Sequence, residues 1–184
     1  MLSKTLSTLA SQLDDYLRRV FRLNEDIVSL QPLVADNTQS AADNKLHLFL
    51  ANIERETAGG IAFNRQSVSK AHFQSAMPPW QLNVYVMFAA VFSKKQYDEA
   101  LKLLSGVTAF LQANNQFALP GTDTQVGIEP VNLSFSELSN LWSIYGSQYY
   151  PSLLCKLRNV VIDSNEIRNI GQLIRKKDEE MKIK

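Results

Sequence analysis

The sequence predicts an α/β (α+β) domain, a mixed central β-sheet of about four to five strands flanked by helices. Three observations predict it. Residues 82–92 are apolar at both alternating sets of positions, as a central strand covered on each side requires. That run passes through Ser93 straight into a helical apolar pattern, the strand-to-helix step of a layered fold rather than a bundle. The chain has 184 residues, 45% of them hydrophobic, with 7 Gly and 6 Pro, enough to bury one core and few breakers.

From the N-terminus, Leu2, Leu6, Leu9, Leu13, Leu17 and Val20 recur every three or four residues, predicting an amphipathic helix closed near Asn24. Its other side, with Lys4, Ser11, Asp14, Asp15, Arg18 and Arg22, reads as a solvated face. Ile27, Val28 and Leu30 form a short β-prone stretch that Pro32 interrupts, and residues 36–44 read as a polar loop. Residues 45–50 alternate. Leu46, Leu48 and Leu50 face inward, and Lys45 and His47 face outward, so His47 is expected to be a surface residue of a strand buried mainly on one side.

Residues 57–79 are the least regular part of the chain, with Gly59-Gly60, Pro78-Pro79 and no acidic residue after Glu56. Arg65, Lys70, His72, Phe73 and Trp80 stand in or beside this long loop, a composition that suits a segment ordering against a partner; a flexible hairpin is the alternative. After the central strand, Ser93 and Gln96 are spaced as a capping box before a helix through Tyr97, Ala100, Leu101, Leu103, Leu104, Val107, Phe110 and Leu111, ended by Asn114-Asn115. Val131, Leu133 and Phe135 alternate as an edge-like strand. A second capping box, Ser134 with Glu137, opens a short helix through Leu138, Leu141, Trp142 and Tyr145 that stops at Gly146. Pro151 starts the last strand, in which Leu153, Cys155 and Leu157 alternate with Lys156 and Arg158 before Val160-Val161-Ile162. From Ser164 a final helix carries Ile167, Ile170, Leu173 and Ile174 into a charge-mixed end that includes Arg175, Lys176 and Lys177. The organisation expected is one domain over residues 1–163 and a helical tail over 164–184.

Several functions lack the residues they need. With 19 Lys and Arg against 18 Asp and Glu, the chain has no basic surplus for nucleic acid. The longest apolar run is too short to span a bilayer, and charged residues among the N-terminal leucines break any signal-peptide core, so no direct membrane insertion is expected. A lone cysteine forms no internal disulfide and fits the cytoplasm; its expected place is the core, not a nucleophile's. Gly59-Gly60 lacks the spacing and the Lys-Ser or Lys-Thr of a phosphate loop. One cysteine and two histidines do not make a zinc set, and Asp14-Asp15 and Glu179-Glu180 are neighbours whose side chains diverge. No catalytic residue, metal or cofactor is assigned.

Three stretches carry a family resemblance. They are Asn-Ile-Glu-Arg-Glu at 52–56; Pro78-Pro79 followed by Leu82-Asn83 and Tyr85-Val86-Met87-Phe88-Ala89-Ala90; and Asn140-Leu141-Trp142 followed by Tyr150-Pro151-Ser152. Their succession resembles the cap, or tail-terminator, proteins of contractile injection systems, the phage-tail-like machines of the antifeeding-prophage type and their secretion-system relatives. The resemblance implies a structural cap, not an enzyme. Such a protein forms a homo-oligomeric ring, a hexamer in these systems, that terminates the inner tube and sheath at the end distal to the baseplate and anchors the last sheath layer. It is made in the bacterial cytoplasm and built into the particle. Some relatives carry a further C-terminal domain, whose function is then expected to reside elsewhere. The surfaces expected to meet ring neighbours, tube and sheath are Arg65, Lys70, His72, Phe73 and Trp80, the strand of Val131 and Leu133, and Arg175, Lys176 and Lys177. The residues alone also leave open a small adaptor docking through its first helix, or an uncharacterised α/β enzyme.

Overall fold

A computed structural model describes residues 1–33, 43–57, 79–146 and 149–162. Most of the polar loop, most of residues 57–79 and the tail from 164 lie outside the described residues. Helix α1, Leu2–Phe21, buries Leu6, Leu9, Leu13 and Leu17. Val20 leaves the expected stripe and is half exposed, because Phe21, four residues beyond Leu17, continues the buried row. The helix ends where Arg22 turns left-handed, its N–H returning to the Arg18 carbonyl.

Asp14 is not on a solvated face. One carboxylate oxygen accepts the N–H groups of Ile27 and Val28, both at 2.8 Å, and the residue is buried. Those amides open strand β1, Val28–Leu30, so a single side chain clamps helix to sheet. Arg18 stands 2.9 Å from Asp26 and 3.6 Å from Asp14, holding the connecting turn.

Strand β2, Lys45–Arg55, pairs parallel with β1 and runs five residues beyond the stretch that alternation predicts. Strand β3, Trp80–Val91, pairs antiparallel with β2 on one side and with β6, Ser152–Ile162, on the other. The central position expected of the 82–92 run is therefore observed. A 3-10 turn at Lys94–Gln96 separates β3 from helix α2, Tyr97–Ala113. The Ser93–Gln96 box does not form as expected: Asn44 Oδ1 accepts the Ser93 N–H, and the Ser93 hydroxyl donates to the Gln96 side chain instead of capping the helix. Asn114 caps the end of α2.

Strands β4, Gln116–Ala118, and β5, Gln125–Pro130, form an antiparallel pair absent from the sequence reading. The expected strand of Val131, Leu133 and Phe135 does not exist. The Val131 N–H still bonds the Leu154 carbonyl beside β6, but the chain then turns into the Ser134 cap, and Phe135 becomes the first residue of helix α3, Phe135–Ile144. The sheet thus has six strands instead of four to five, in the order β1-β2-β3-β6-β5-β4. All neighbours except β1 and β2 are antiparallel.

Helices α1 and α2 cover one face over Leu46, Leu48, Val84, Val86, Phe88, Cys155 and Leu157. Gly106 lets these helices close up, since a Cβ there would stand 2.8 Å from both Leu17 and Phe21. Helix α3 covers part of the other face over Phe49, Met87, Ala89 and Val91. His47 is buried, contrary to its expected surface position, and its ring lies 2.9 Å from Asp43 with the Gln31 amide alongside.

Asp14→Ala leaves two strand amides without their acceptor and is expected to cost about 2–4 kcal/mol in urea unfolding. Asp14→Asn keeps an acceptor oxygen and should lose clearly less; equal losses would show that the clamp does not work through these bonds.

Candidate functional site

Among the described residues, the least covered apolar surface belongs to α3. A capping box fixes where this helix starts. The Ser134 hydroxyl accepts the Glu137 N–H at 3.3 Å, and the Glu137 carboxylate accepts the Ser134 N–H at 2.8 Å. The Ser134 hydroxyl, donating to that carboxylate at 2.7 Å, and then the Ser134 N–H hold the Glu137 carboxyl below the ordinary glutamate range. Gly146, at φ 90°, follows the C-terminal turn, in a conformation that a side chain would strain.

Five of the ten helix residues are apolar, and they do not fit on one face. Leu138, Leu141 and Trp142 pack toward Phe49, Met87 and Tyr145. Phe135 remains 91% exposed and Ile144 77%. An open groove of about 310 Å³ runs along the helix, lined by Phe135, Leu138, Ser139, Trp142, Ser143 and Tyr149, with no charged residue among them.

Trp142 organises this region. Its ring meets Tyr149 at 5.6 Å, Tyr150 at 6.0 Å and Tyr145 at 6.4 Å, mostly edge to face. Burial pushes the Tyr145 and Tyr150 phenols above their ordinary range, and nearby Asp43 adds to this at Tyr150. The Trp142 indole N–H is buried and, among the described residues, has no hydrogen-bond partner. An unmet buried donor costs about 1–3 kcal/mol, which an acceptor brought by a bound partner would recover.

A second surface is the far end of the β2–β3–β6 sheet. On the side of α1 and α2, Leu50, Ile53 and Trp80 are exposed, and the Arg55 guanidinium lies 5.0 Å from the Trp80 ring centre. The opposite side is polar. Tyr85 donates to Glu54 at 2.9 Å, Asn83 donates to Glu56 at 2.8 Å, and Arg158 pairs with Glu129 at 2.6 Å. The Glu54 carboxylate, by accepting that bond, raises the Tyr85 phenol above its ordinary value.

Of the interface residues read from the sequence, Trp80 is exposed at this sheet end, Val131 and Leu133 are half-buried in the link between β5 and α3, and Arg65, Lys70, His72, Phe73, Arg175, Lys176 and Lys177 lie outside the described residues. The α3 groove was missed. Its signal was present: a helix apolar on more than one face is ordinarily buried all round, and α3 has only one layer beneath it. Cys155 is fully buried, as expected, and desolvation pushes its thiol up to about 12. Among the described residues, no group of three or more His, Cys, Asp or Glu is placed to hold a metal, and no helix is long and apolar enough to cross a membrane.

The sequence matches the family model described as the Pvc16 N-terminal domain over residues 4–176. No curated protein matches it. Among solved structures, the fold is similar to that of the sheath/tube terminator of PVC, an extracellular contractile injection system, in its extended state. The TM-score is 0.59 and the identity 19%, over 89% of this chain and 57% of that one. A second match is the tube-terminating cap of the anti-feeding prophage, at TM-score 0.49 and 18% identity over 86% of this chain and 55% of the other. The chain therefore spans little more than half the length of either protein.

The raised thiol predicts that a disulfide reagent at pH 8 leaves Cys155 unmodified in folded protein and reacts at once in denaturant. Because the folded value lies above the unfolded one, this group's contribution to stability is full below the ordinary thiol range and is lost as pH rises toward about 12. Rapid labelling of the native chain would mean that the α1 and α2 layer does not cover β6.

Proposed function

The chain belongs to the Pvc16 N-terminal domain family, and on that premise we propose that it is a structural cap of a contractile injection system. In this reading, copies of the chain form a ring, six-fold by analogy with the family, at the end of the inner tube distal to the baseplate. The ring stops polymerisation of tube and sheath and anchors the last sheath layer. The observation that carries the reading is the family match across residues 4–176; the shared fold with the PVC sheath/tube terminator supports it.

The molecule has the physical attributes the task needs. A sheet whose central strand β3 is buried on both sides along most of its length makes a stiff body. A ring requires a heterologous contact, with different patches on the two sides of each subunit, and the chain offers separate apolar surfaces at α3 and at the Trp80 end of the sheet. Residues 57–79, with Arg65, Lys70, His72 and Phe73, and the tail 164–184, with Arg175, Lys176 and Lys177, are the segments assigned to ring neighbours, tube and sheath. The net charge of +1 adds little repulsion between like copies. Assembly takes place in the cytoplasm of the producing bacterium.

Size-exclusion chromatography with light scattering, followed by negative-stain microscopy with tube subunits, tests the proposal. Rings, or tubes capped at one end and fixed in length, are the expected result; a stable monomer that leaves tube length unchanged sinks it. Removing residues 175–184 should preserve the circular dichroism spectrum and melting profile while weakening assembly. If that truncation unfolds the chain, those residues belong to the core instead.

A further inference from the structure

The α3 groove lies at one end of the sheet, where α3 packs on Met87 and Ala89, and where Ser152 pairs with Ala89. From there β6 runs eleven residues to Ile162, which pairs with Trp80 at the opposite end. Ten strand steps place that exit about 33 Å from the groove end. Beyond it the sequence sets Ile167, Ile170, Leu173 and Ile174 at helical spacing, with Arg168 on the opposite side. Glu166, one turn before Ile170, brings an acceptor to the edge of the apolar stripe. As a helix, residues 164–174 span about 16 Å, half the distance back to their own groove. A neighbouring copy placed head to tail carries no such restriction.

We infer that the apolar stripe of residues 164–174 of one copy docks as an amphipathic helix in the α3 groove of the next copy, where the Trp142 indole N–H donates to an acceptor carried by the tail. This rests on the proposed ring and assigns its heterologous contact. The docking mode is helix in groove, read by apolar anchors at three- and four-residue intervals. Ser139 and Ser143, one turn apart, leave room for the incoming helix between Phe135 and Tyr149, and the uncharged lining suits an apolar stripe. The end of β6 that leads to the tail and the groove sit at opposite ends of the same sheet, so each copy would give at one end and receive at the other, the arrangement that closes rings.

The test uses the 184-residue chain in two forms, one carrying Ser139→Cys, mixed with a size-tagged copy carrying Asn169→Cys, and a short bis-maleimide. Cys155 is buried and does not compete. A cross-linked pair joined between positions 139 and 169 is expected, with its yield cut about tenfold by Phe135→Glu in the first chain or Ile170→Asp in the second. Phe135 is exposed, so its replacement should leave the circular dichroism spectrum unchanged. A single chain carrying both Ser139→Cys and Asn169→Cys that links only within itself overturns the docking. Light scattering on the same samples separates this inference from the ring: oligomers without a 139–169 link overturn the docking alone, whereas monomers without it overturn both.

Discussion

The structure depends on the burial of β3 from both sides. Val84, Val86, Phe88 and Ala90 face α1 and α2, while Met87, Ala89 and Val91 face α3, and nearly all of them are inaccessible to solvent. A strand of this kind has no polar face on which to end a domain, so a helical layer is required above and below it. An ionised side chain at any of these positions would meet neither water nor a partner. The remaining elements follow from that demand. β2 and β6 satisfy its backbone on both edges, and α1 is tied to the sheet through Asp14 so that its leucine stripe lands over the strand.

The two layers are unequal. Two helices, closed up at Gly106, cover one face along most of β3, whereas α3 is a single short helix at one end of the other. Where α3 stops, the sheet turns polar through Glu54, Tyr85, Lys156 and Arg158, and the ladders slip between Leu50 and Asn52 and between Leu82 and Val84. The thin layer also leaves α3 with apolar residues that stay exposed and an indole donor without an acceptor among the described residues. On the proposed reading, these are the surfaces on which a subunit meets its neighbours.

What was legible in the sequence was what periodicity encodes. The α1 stripe, the two-sided run of β3, the Ser134–Glu137 box and the inward Cys155 each depend on side-chain spacing within one element, and each is found in place. The misses depend on long-range contacts. Asp14 looks solvated until the strand amides of Ile27 and Val28 arrive, and His47 looks outward until Gln31 and Asp43 close on its ring. β4 and β5 escaped because one is three residues long and the other contains Gly127 and ends at Pro130, so neither shows sustained alternation. Val131, Leu133 and Phe135 alternate by chance across a turn. The α3 groove is signalled in the sequence only as a helix apolar on more than one face, while how thinly that helix is covered is a long-range property that no periodicity reports; the family resemblance, by contrast, was readable from short runs spread along the chain.

The central claim is that the well-covered sheet is the fixed body and the thinly covered α3 face is where assembly occurs. Amide hydrogen exchange, compared between the isolated chain and the chain in its assembled state, measures both at once. The account predicts that β3 and β6 amides exchange slowest in either state and change little, while residues 135–144 gain protection on assembly. Unchanged exchange in α3, with protection gained instead on the exposed side of α2, would contradict it.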